Sequence, residues 1–258
     1  MGWNIFPWFA VSTALLAVVA SVLAWCNRRV AALATSSLAV AILSTFVAIL
    51  WISLERPPMR TMGETRLWYS LFLLVAGVAT YARWRFRWIL SFSTLLATVF
   101  MVINCLRPEL HDKSLMPALQ SAWFMPHVAV DMFSYALLGV ATLMAIYHLV
   151  KHDERVLHAI DNLLGGGVAL FTVGMLTGSL WAKQAWGEYW SWDAKEAWAA
   201  ATWFIYLGAI HLRLLRPRAT KAFCVALIVG FLALQMCWYG VNYLPSAEKS
   251  VHSYNRNN

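Results

Sequence analysis

The 258-residue chain is 61% hydrophobic and only 12% charged, with a mean hydropathy of +0.61. A water-soluble domain of this size cannot hide that much apolar surface, whereas an integral membrane bundle presents it to lipid. The net charge of +8 does not mark a nucleic-acid partner, because the basic residues fall between apolar runs, where they orient a protein in a lipid bilayer.

A membrane span takes about 20 mostly apolar residues. In chain order, candidate spans cover 5–25, 31–53, 67–82, 87–106, 127–149, 163–182, 197–214 and 222–243. The predicted fold class is all-α: a polytopic helical bundle of about eight transmembrane helices, read as one integral-membrane domain over 1–258. The third and fourth spans are the weakest pair, since only Arg83-Trp84-Arg85-Phe86-Arg87-Trp88 separates them. Met1 to Ala10 carry no basic segment and no small-residue cleavage site, so the first run reads as a retained span rather than a signal peptide. Cys26, Cys105, Cys224 and Cys237 form no C-x-x-C pair and lie in or beside apolar runs, which predicts small core residues.

Charge orients the spans. Alternate connectors carry Arg28 and Arg29; Arg83, Arg85 and Arg87; Lys151 and Arg155; and Arg213, Arg216, Arg218 and Lys221. These eleven basic residues stand with three acids, Asp153, Glu154 and Asp161, whereas the opposite side holds nine basic residues and eight acids. The positive-inside rule puts the first set in the cytoplasm. Both termini then lie outside, with the loops 54–66, 107–126 and 183–196 and the tail 244–258.

The outer loop at about 183–196 holds Trp186-Gly187-Glu188-Tyr189-Trp190-Ser191-Trp192-Asp193. A row of indoles offers flat apolar faces and N–H donors to a large flat ligand. The competing reading is an aromatic belt, which anchors many membrane proteins but spreads single Trp and Tyr over several helix ends. Asp193 and Glu196 read as the N-cap and third-position partner of the seventh helix. Its first N–H groups would then face whatever binds there. Gly174 and Gly178 make a G-x-x-x-G face suited to close helix contact. Gly165 to Gly167 predict a loosened start to the sixth helix.

Two histidines share the side of the tryptophan segment. His127 follows Pro126 at the start of the fifth span, and His252 lies in the outer tail. Singly, each reads as an ordinary interfacial residue. Together with the aromatic platform they form a candidate pair of axial haem ligands, because haem iron takes imidazole on one or both faces. His211 lies about 14 residues into the seventh span, ~20 Å of helix, in the inner half of the membrane. An ionisable residue there is a functional candidate; a side chain reaching the interface beside Arg213 is the alternative. His148 either shares a ligand with His211 or is a boundary residue beside Lys151 and His152, and His111 and His158 read as solvated loop residues. Asp131, one turn below His127, either orients that imidazole or favours the helix N-terminus, and the second reading is preferred.

The order outer histidine, tryptophan motif, inner histidine, outer histidine resembles the CcsA (ResC) family, the membrane subunit of the system II cytochrome c synthase. The likeness runs through Thr177-Gly178-Ser179-Leu180-Trp181-Ala182 and Ala185-Trp186 to Trp198, then Thr202-Trp203, His211 and Arg213. Pro117-Ala118-Leu119-Gln120-Ser121 with His127 and Ser134-Tyr135-Ala136, Arg56-Pro57-Pro58-Met59 leading to Glu64, and His252-Ser253-Tyr254 are similar too. Three positions depart from the family pattern: Ala194 for a usual proline, Asp131 for a usual apolar residue, and Asn255 for a common glycine.

The resemblance implies a haem site built from Trp181, Trp186, Trp190, Trp192 and Asp193, with His127 and His252 as outer iron ligands and His211 as an inner one. It implies haem b as cargo, a CcsB/ResB-like membrane partner, and an apocytochrome c presenting C-x-x-C-H. It also implies a role as a subunit of a cytochrome c haem lyase, in the bacterial cytoplasmic membrane with the site on the outer side. Lys183 and Lys195 are candidates to meet the haem propionates, or simple interface charges. Two other readings are a CcmC-like haem-delivery protein, which has six spans, and an electron-transferring cytochrome b, which needs paired histidines on facing helices.

Overall fold

A computed structural model gives the fold and describes residues 2–107 and 121–244. Among the described residues there are eight α-helices and no strand. They are α1 (Phe6–Trp25, preceded by a 3-10 turn at Trp3–Ile5), α2 (Arg29–Leu54), α3 (Met62–Trp84), α4 (Arg87–Leu106), α5 (Phe124–Lys151), α6 (Arg155–Trp186), α7 (Ala194–Leu215) and α8 (Thr220–Trp238). Each coincides with an expected span. Seven are long and apolar enough to cross a membrane. The exception is α3, which carries Glu64, Arg66 and Arg83. Large apolar side chains such as Trp8, Leu15, Ile52, Leu176 and Phe204 point outward, as lipid-facing helices require. The protein is a multi-pass membrane bundle.

The chain divides into two compact units, Met1–Gln120 and Ser121–Asn258. In the first, α1 packs on α2 and α4, and α3 on α4. The two arginine-bearing connectors of this unit lie together. The Arg29 guanidinium donates to Ala82 O at 2.8 Å, and Arg87 donates to the Asn27 side chain and, at 3.4 Å, to Trp25 O. Beneath them Ala24, Ala32, Tyr81 and Leu90 form a small core. Shared placement of two basic connectors is what the charge pattern requires of alternating spans.

At the opposite end of this unit α3 starts with a capping box. Thr61 Oγ1 accepts the Glu64 N–H, and Glu64 Oε2 accepts the Thr61 N–H. Glu64 is 2% exposed, and both carboxylate oxygens take Arg56, at 2.9 and 3.0 Å, while Oε2 also accepts the Arg60 N–H at 2.6 Å. Four hydrogen bonds thus reach this buried carboxylate, three of them on Oε2, which offsets its desolvation.

In the second unit α5 packs against α6 and α8, and α7 against α6 and α8. Three interactions set the frame. Trp203 Nε1 on α7 donates to Thr172 Oγ1 on α6 at 2.8 Å. Arg213 reaches Asp161 through two hydrogen bonds, at 3.1 and 3.3 Å. Tyr206 lies over Gly230, where a Cβ would meet its ring at 2.9 Å. In the α5–α6 turn, donation from Arg155 to Asp153 at 2.8 and 2.9 Å holds that carboxyl below the usual carboxylate range.

Three expectations need correction. The sixth helix is not loosened at Gly165 to Gly167 but runs unbroken from Arg155. Gly167 faces α5: Ser134 Oγ donates to its carbonyl at 2.8 Å, and a Cβ there would meet Leu138 at 2.8 Å. Helix contact, rather than flexibility, is what the small residue provides at that position. Of the cysteines, Cys224 and Cys237 are buried as expected, but Cys26 and Cys105 are exposed. Cys26 ends α1 and Cys105 sits in the last turn of α4, where fewer neighbours cover them. The last span also stops early, with α8 ending at Trp238 and a 3-10 turn following over Gly240–Tyr243.

Glu64 yields a stability prediction. Glu64→Ala strands the half-buried Arg56 and removes a cap, and should cost about 3 kcal/mol. Thermal unfolding in detergent measures it. The double change Arg56→Met with Glu64→Leu should recover part of the loss, because an apolar pair of similar volume needs no compensation.

Candidate functional site

The candidate residues of the second unit gather where α5 begins, α6 ends and α7 begins. The start of α5 is tied to α6: Ser121 Oγ accepts the Trp123 N–H at 3.2 Å and donates to Gln184. His127 then falls in the first turns of α5, facing the G-x-x-x-G stripe of α6. The pairing is in register. Gly178 lies against the His127 ring, where a Cβ would meet Nδ1 and Cε1 at 2.9 Å. Gly174 lies against Asp131, whose carboxylate takes the space a Cβ would need. Two glycines four apart on α6 thus receive two polar residues four apart on α5.

That seat determines the state of the imidazole. His127 Nδ1 lies 2.9 Å from Gly174 O and 3.2 Å from Asp131 Oδ2. A carbonyl oxygen can only accept, so Nδ1 carries a proton, and in the neutral imidazole Nε2 is then the nitrogen with the lone pair. The preferred reading of Asp131 as a partner for the helix N-terminus gives way here. It sits two turns into α5, buried, and contacts the ring instead.

Aromatic rings complete the seat. Trp181, 3% exposed, stacks on His127 with centroids 5.5 Å apart and planes 22° from parallel. Phe124 and Trp186 close on Trp181 at 5.1 and 4.7 Å. Trp186, expected in the loop, belongs with Trp181 to the last turns of α6. The connector is shorter than expected, Gly187 to Asp193.

Two devices shape that connector. Gly187 ends α6 with φ +90°, a left-handed turn that a side chain would strain, and its carbonyl accepts Lys183 Nζ at 2.6 Å. At the far end the expected capping box is present. Asp193 Oδ1 accepts the Glu196 N–H at 2.9 Å, and Glu196 Oε2 accepts the N–H groups of Ser191 at 2.7 Å and Asp193 at 3.3 Å. The Ser191 hydroxyl donates to the same oxygen at 3.2 Å. Three donors on one buried carboxylate pull the chain over the start of α7 and hold Trp192 at φ +58° and 70% exposed. Trp190 meets Trp192 edge-on at 5.6 Å and 82°. The Trp190 indole N–H is buried with no hydrogen-bond partner among the described residues. Lys183 lies over the Tyr189 ring, 5.3 Å from its centroid.

The other histidines lie elsewhere. His211 is exposed on α7, and its Nδ1 donates to Leu207 O of its own helix at 2.8 Å. His148 is buried, and its Nδ1 contacts Asp153 O in the α5–α6 turn at 3.0 Å. His158 is a neighbour of Asn162, 3.2 Å from its side-chain nitrogen. His252, His111 and the segment Pro117 to Gln120 lie outside the described residues.

Sequence reasoning missed the roles of Phe124, Ser121 and Gln184, and the matched spacing of His127/Asp131 with Gly174/Gly178. That spacing was a legible signal: antiparallel helices with equal four-residue steps bring each pair face to face. It generates a prediction. Gly174→Ala and Gly178→Ala should each destabilise the protein by about 1–3 kcal/mol through overpacking. Gly165→Ala, which meets nothing within 4 Å, should be neutral or stabilising. Thermal unfolding in detergent distinguishes them.

Residues 60–247 match the family model for cytochrome c assembly proteins. Among curated proteins, the chain is similar to the cytochrome c biogenesis protein CcsA of Chlamydomonas reinhardtii, 35% identical over 174 residues, covering 62% of this chain and 48% of that one. The CcsA of Guillardia theta is 35% identical over 172 residues, covering 54% and 56%. The chain thus spans about half the length of these two relatives. With the CcsA of Cyanophora paradoxa it is 27% identical over 285 residues, covering 85% and 86%. The family match takes in α3 to α8 and with them both halves of the histidine seat, and the chain belongs to the cytochrome c assembly protein family.

Proposed function

We propose that this protein handles haem in cytochrome c biogenesis, receiving haem b as cargo and presenting it on the outer face of the membrane for covalent attachment to an apocytochrome c. The observation that carries the reading is the His127 seat. Nδ1 faces two acceptors and the ring is stacked on a buried indole, so the Nε2 lone pair has one orientation. A metal-ligating histidine generally has its other nitrogen held in this way. Membership of the cytochrome c assembly family supports haem as the metal-bearing ligand.

His127 and His252 are the proposed outer iron ligands, and Trp181, Trp186, Trp190, Trp192 and Asp193 the surround of the macrocycle. The buried Trp190 N–H suits a polar group of the ligand. His211, exposed on α7 with its ring oriented by Leu207 O, is the proposed inner ligand, and its second imidazole comes from a CcsB/ResB-like partner. The exposure of His211 supports a ligand shared between chains. The buried His148, engaged by Asp153 O, is not needed for it. The apocytochrome presents C-x-x-C-H. Each thiol S–H adds across a haem vinyl C=C, forming one C–S and one C–H bond with no net redox change. The protein supplies position and electrostatics, and the reactive groups belong to haem and substrate. Eight helices rather than six support this synthase-type reading over haem delivery to a chaperone. The connector charges support the outward side, and the bacterial cytoplasmic membrane rests on the likeness to ResC.

Co-expression with a c-type apocytochrome and the partner subunit, in cells lacking their own assembly system, tests the proposal. Covalent haem on the cytochrome, read by haem staining of denatured protein, is expected with the intact chain. His127→Ala and His252→Ala should each reduce it at least tenfold without loss of the membrane protein. Full maturation in either variant would remove the ligand assignment.

A further inference from the structure

The α1–α2 and α3–α4 connectors of the first unit bring Arg28, Arg29, Arg83, Arg85 and Arg87 to one end of it. Arg29 donates to the carbonyl of Ala82, beside Arg83, and Arg87 donates to the side chain of Asn27, beside Arg28. Both of these bracing arginines thus end on neutral oxygens. Arg28, Arg83 and Arg85 are exposed, and no hydrogen bond or ion pair engages their side chains among the described residues. The sequence offers them no acid, because neither 1–54 nor 65–108 contains Asp or Glu. Orientation in a bilayer does not require this. In the second unit Arg155 meets Asp153 and Arg213 meets Asp161, and at the opposite end of the first unit Arg56 meets Glu64. Elsewhere the bracing arginines have a carboxylate; here the positive charge is left uncompensated.

The surface next to the cluster is apolar. Leu15, Val18, Val22 and Trp25 recur at helical spacing on α1 and are 50–62% exposed. Trp25 sits at the connector, its indole N–H donating to Ser91 Oγ at 3.1 Å, as an indole at a membrane–water boundary does. The geometry points to a binding site for an anionic glycerophospholipid, its phosphate on the guanidiniums of Arg28, Arg83 and Arg85 and an acyl chain along the exposed stripe of α1. A guanidinium fork matches phosphate oxygens in pairs. Basic clusters beside membrane helices attract anionic headgroups, and the apolar stripe suits the acyl chain that a free phosphate lacks. A lipid held there supplies the counter-charge that the fold omits and links the α1–α2 hairpin to the α3–α4 hairpin at their turns.

Native mass spectrometry of the purified full chain, stripped of lipid in detergent and titrated with phosphatidylglycerol or phosphatidylcholine, with and without inorganic phosphate, tests the site. The wild type should bind phosphatidylglycerol about tenfold more tightly than phosphatidylcholine, and millimolar phosphate should not displace it. Replacing Arg28, Arg83 and Arg85 together by Gln should lower phosphatidylglycerol affinity about tenfold or more, since each basic residue near an anionic surface is worth about fivefold. Phosphatidylcholine binding should not change. Replacing Arg216, Arg218 and Lys221 by Gln removes the same charge from exposed positions in the second unit and should leave phosphatidylglycerol affinity as it was. Thermal unfolding in phosphatidylcholine checks that both variants fold; if the first does not, Arg83→Gln and Arg85→Gln singly, each expected to lose about fivefold, carry the test. Equal losses in the two triple variants would reduce the effect to net charge and overturn the site. Equal affinity for the two lipids would overturn it as well, and displacement by phosphate would assign the cluster to a free anion instead of a lipid.

Discussion

The seat of His127 depends on the absence of two side chains. Gly174 and Gly178 let α5 and α6 approach closely enough for an imidazole and a carboxylate to occupy the groove between them. In a bilayer there is little hydrophobic force between helices, so close packing and interhelical hydrogen bonds must hold them. Here the same contact does both: the Gly174 carbonyl that a small residue leaves accessible is the acceptor for His127 Nδ1. Helix association and ring orientation are one interaction, and neither can be altered without the other.

The connector between α6 and α7 is built on the opposite principle. Its form comes from local hydrogen bonds, with Gly187 ending one helix and the Asp193–Glu196 box starting the next. Glu196, buried, gathers donors from Ser191 and Asp193, so the exposed Trp192 is presented by a short rigid turn. A large flat ligand would meet one ring already stacked on the histidine and others on the loop. Order in the loop before binding lowers the entropy that binding must offset. The first unit shows the same chemistry in the Arg56–Glu64–Thr61 cluster, where a buried carboxylate again collects backbone and guanidinium donors at a helix start.

Much was legible along the chain because membrane helices obey simple rules. Apolar runs of span length, basic connectors and a capping pair all have local causes, and eight helices, their order and the Asp193–Glu196 box follow from them. Local rules failed where a residue's meaning lay in its neighbour. The Gly165–Gly167 run looks flexible in isolation, yet Leu138 and Ser134 of α5 make it a packing surface. Asp131 looks like a dipole partner until Gly174 and His127 are seen beside it.

The sequence by itself determined the class of molecule, its spans and the capping pair that starts the seventh helix, because hydropathy, charge and helix caps act within a few residues. Only the tertiary structure decided which ring nitrogen of His127 carries the proton, that Trp181 is its buried stacking partner, and that Asp131 stands behind it. Those facts arise across α5 and α6, from the register of two helices 47 residues apart at the contact between His127 and Gly174, and no local pattern encodes a register.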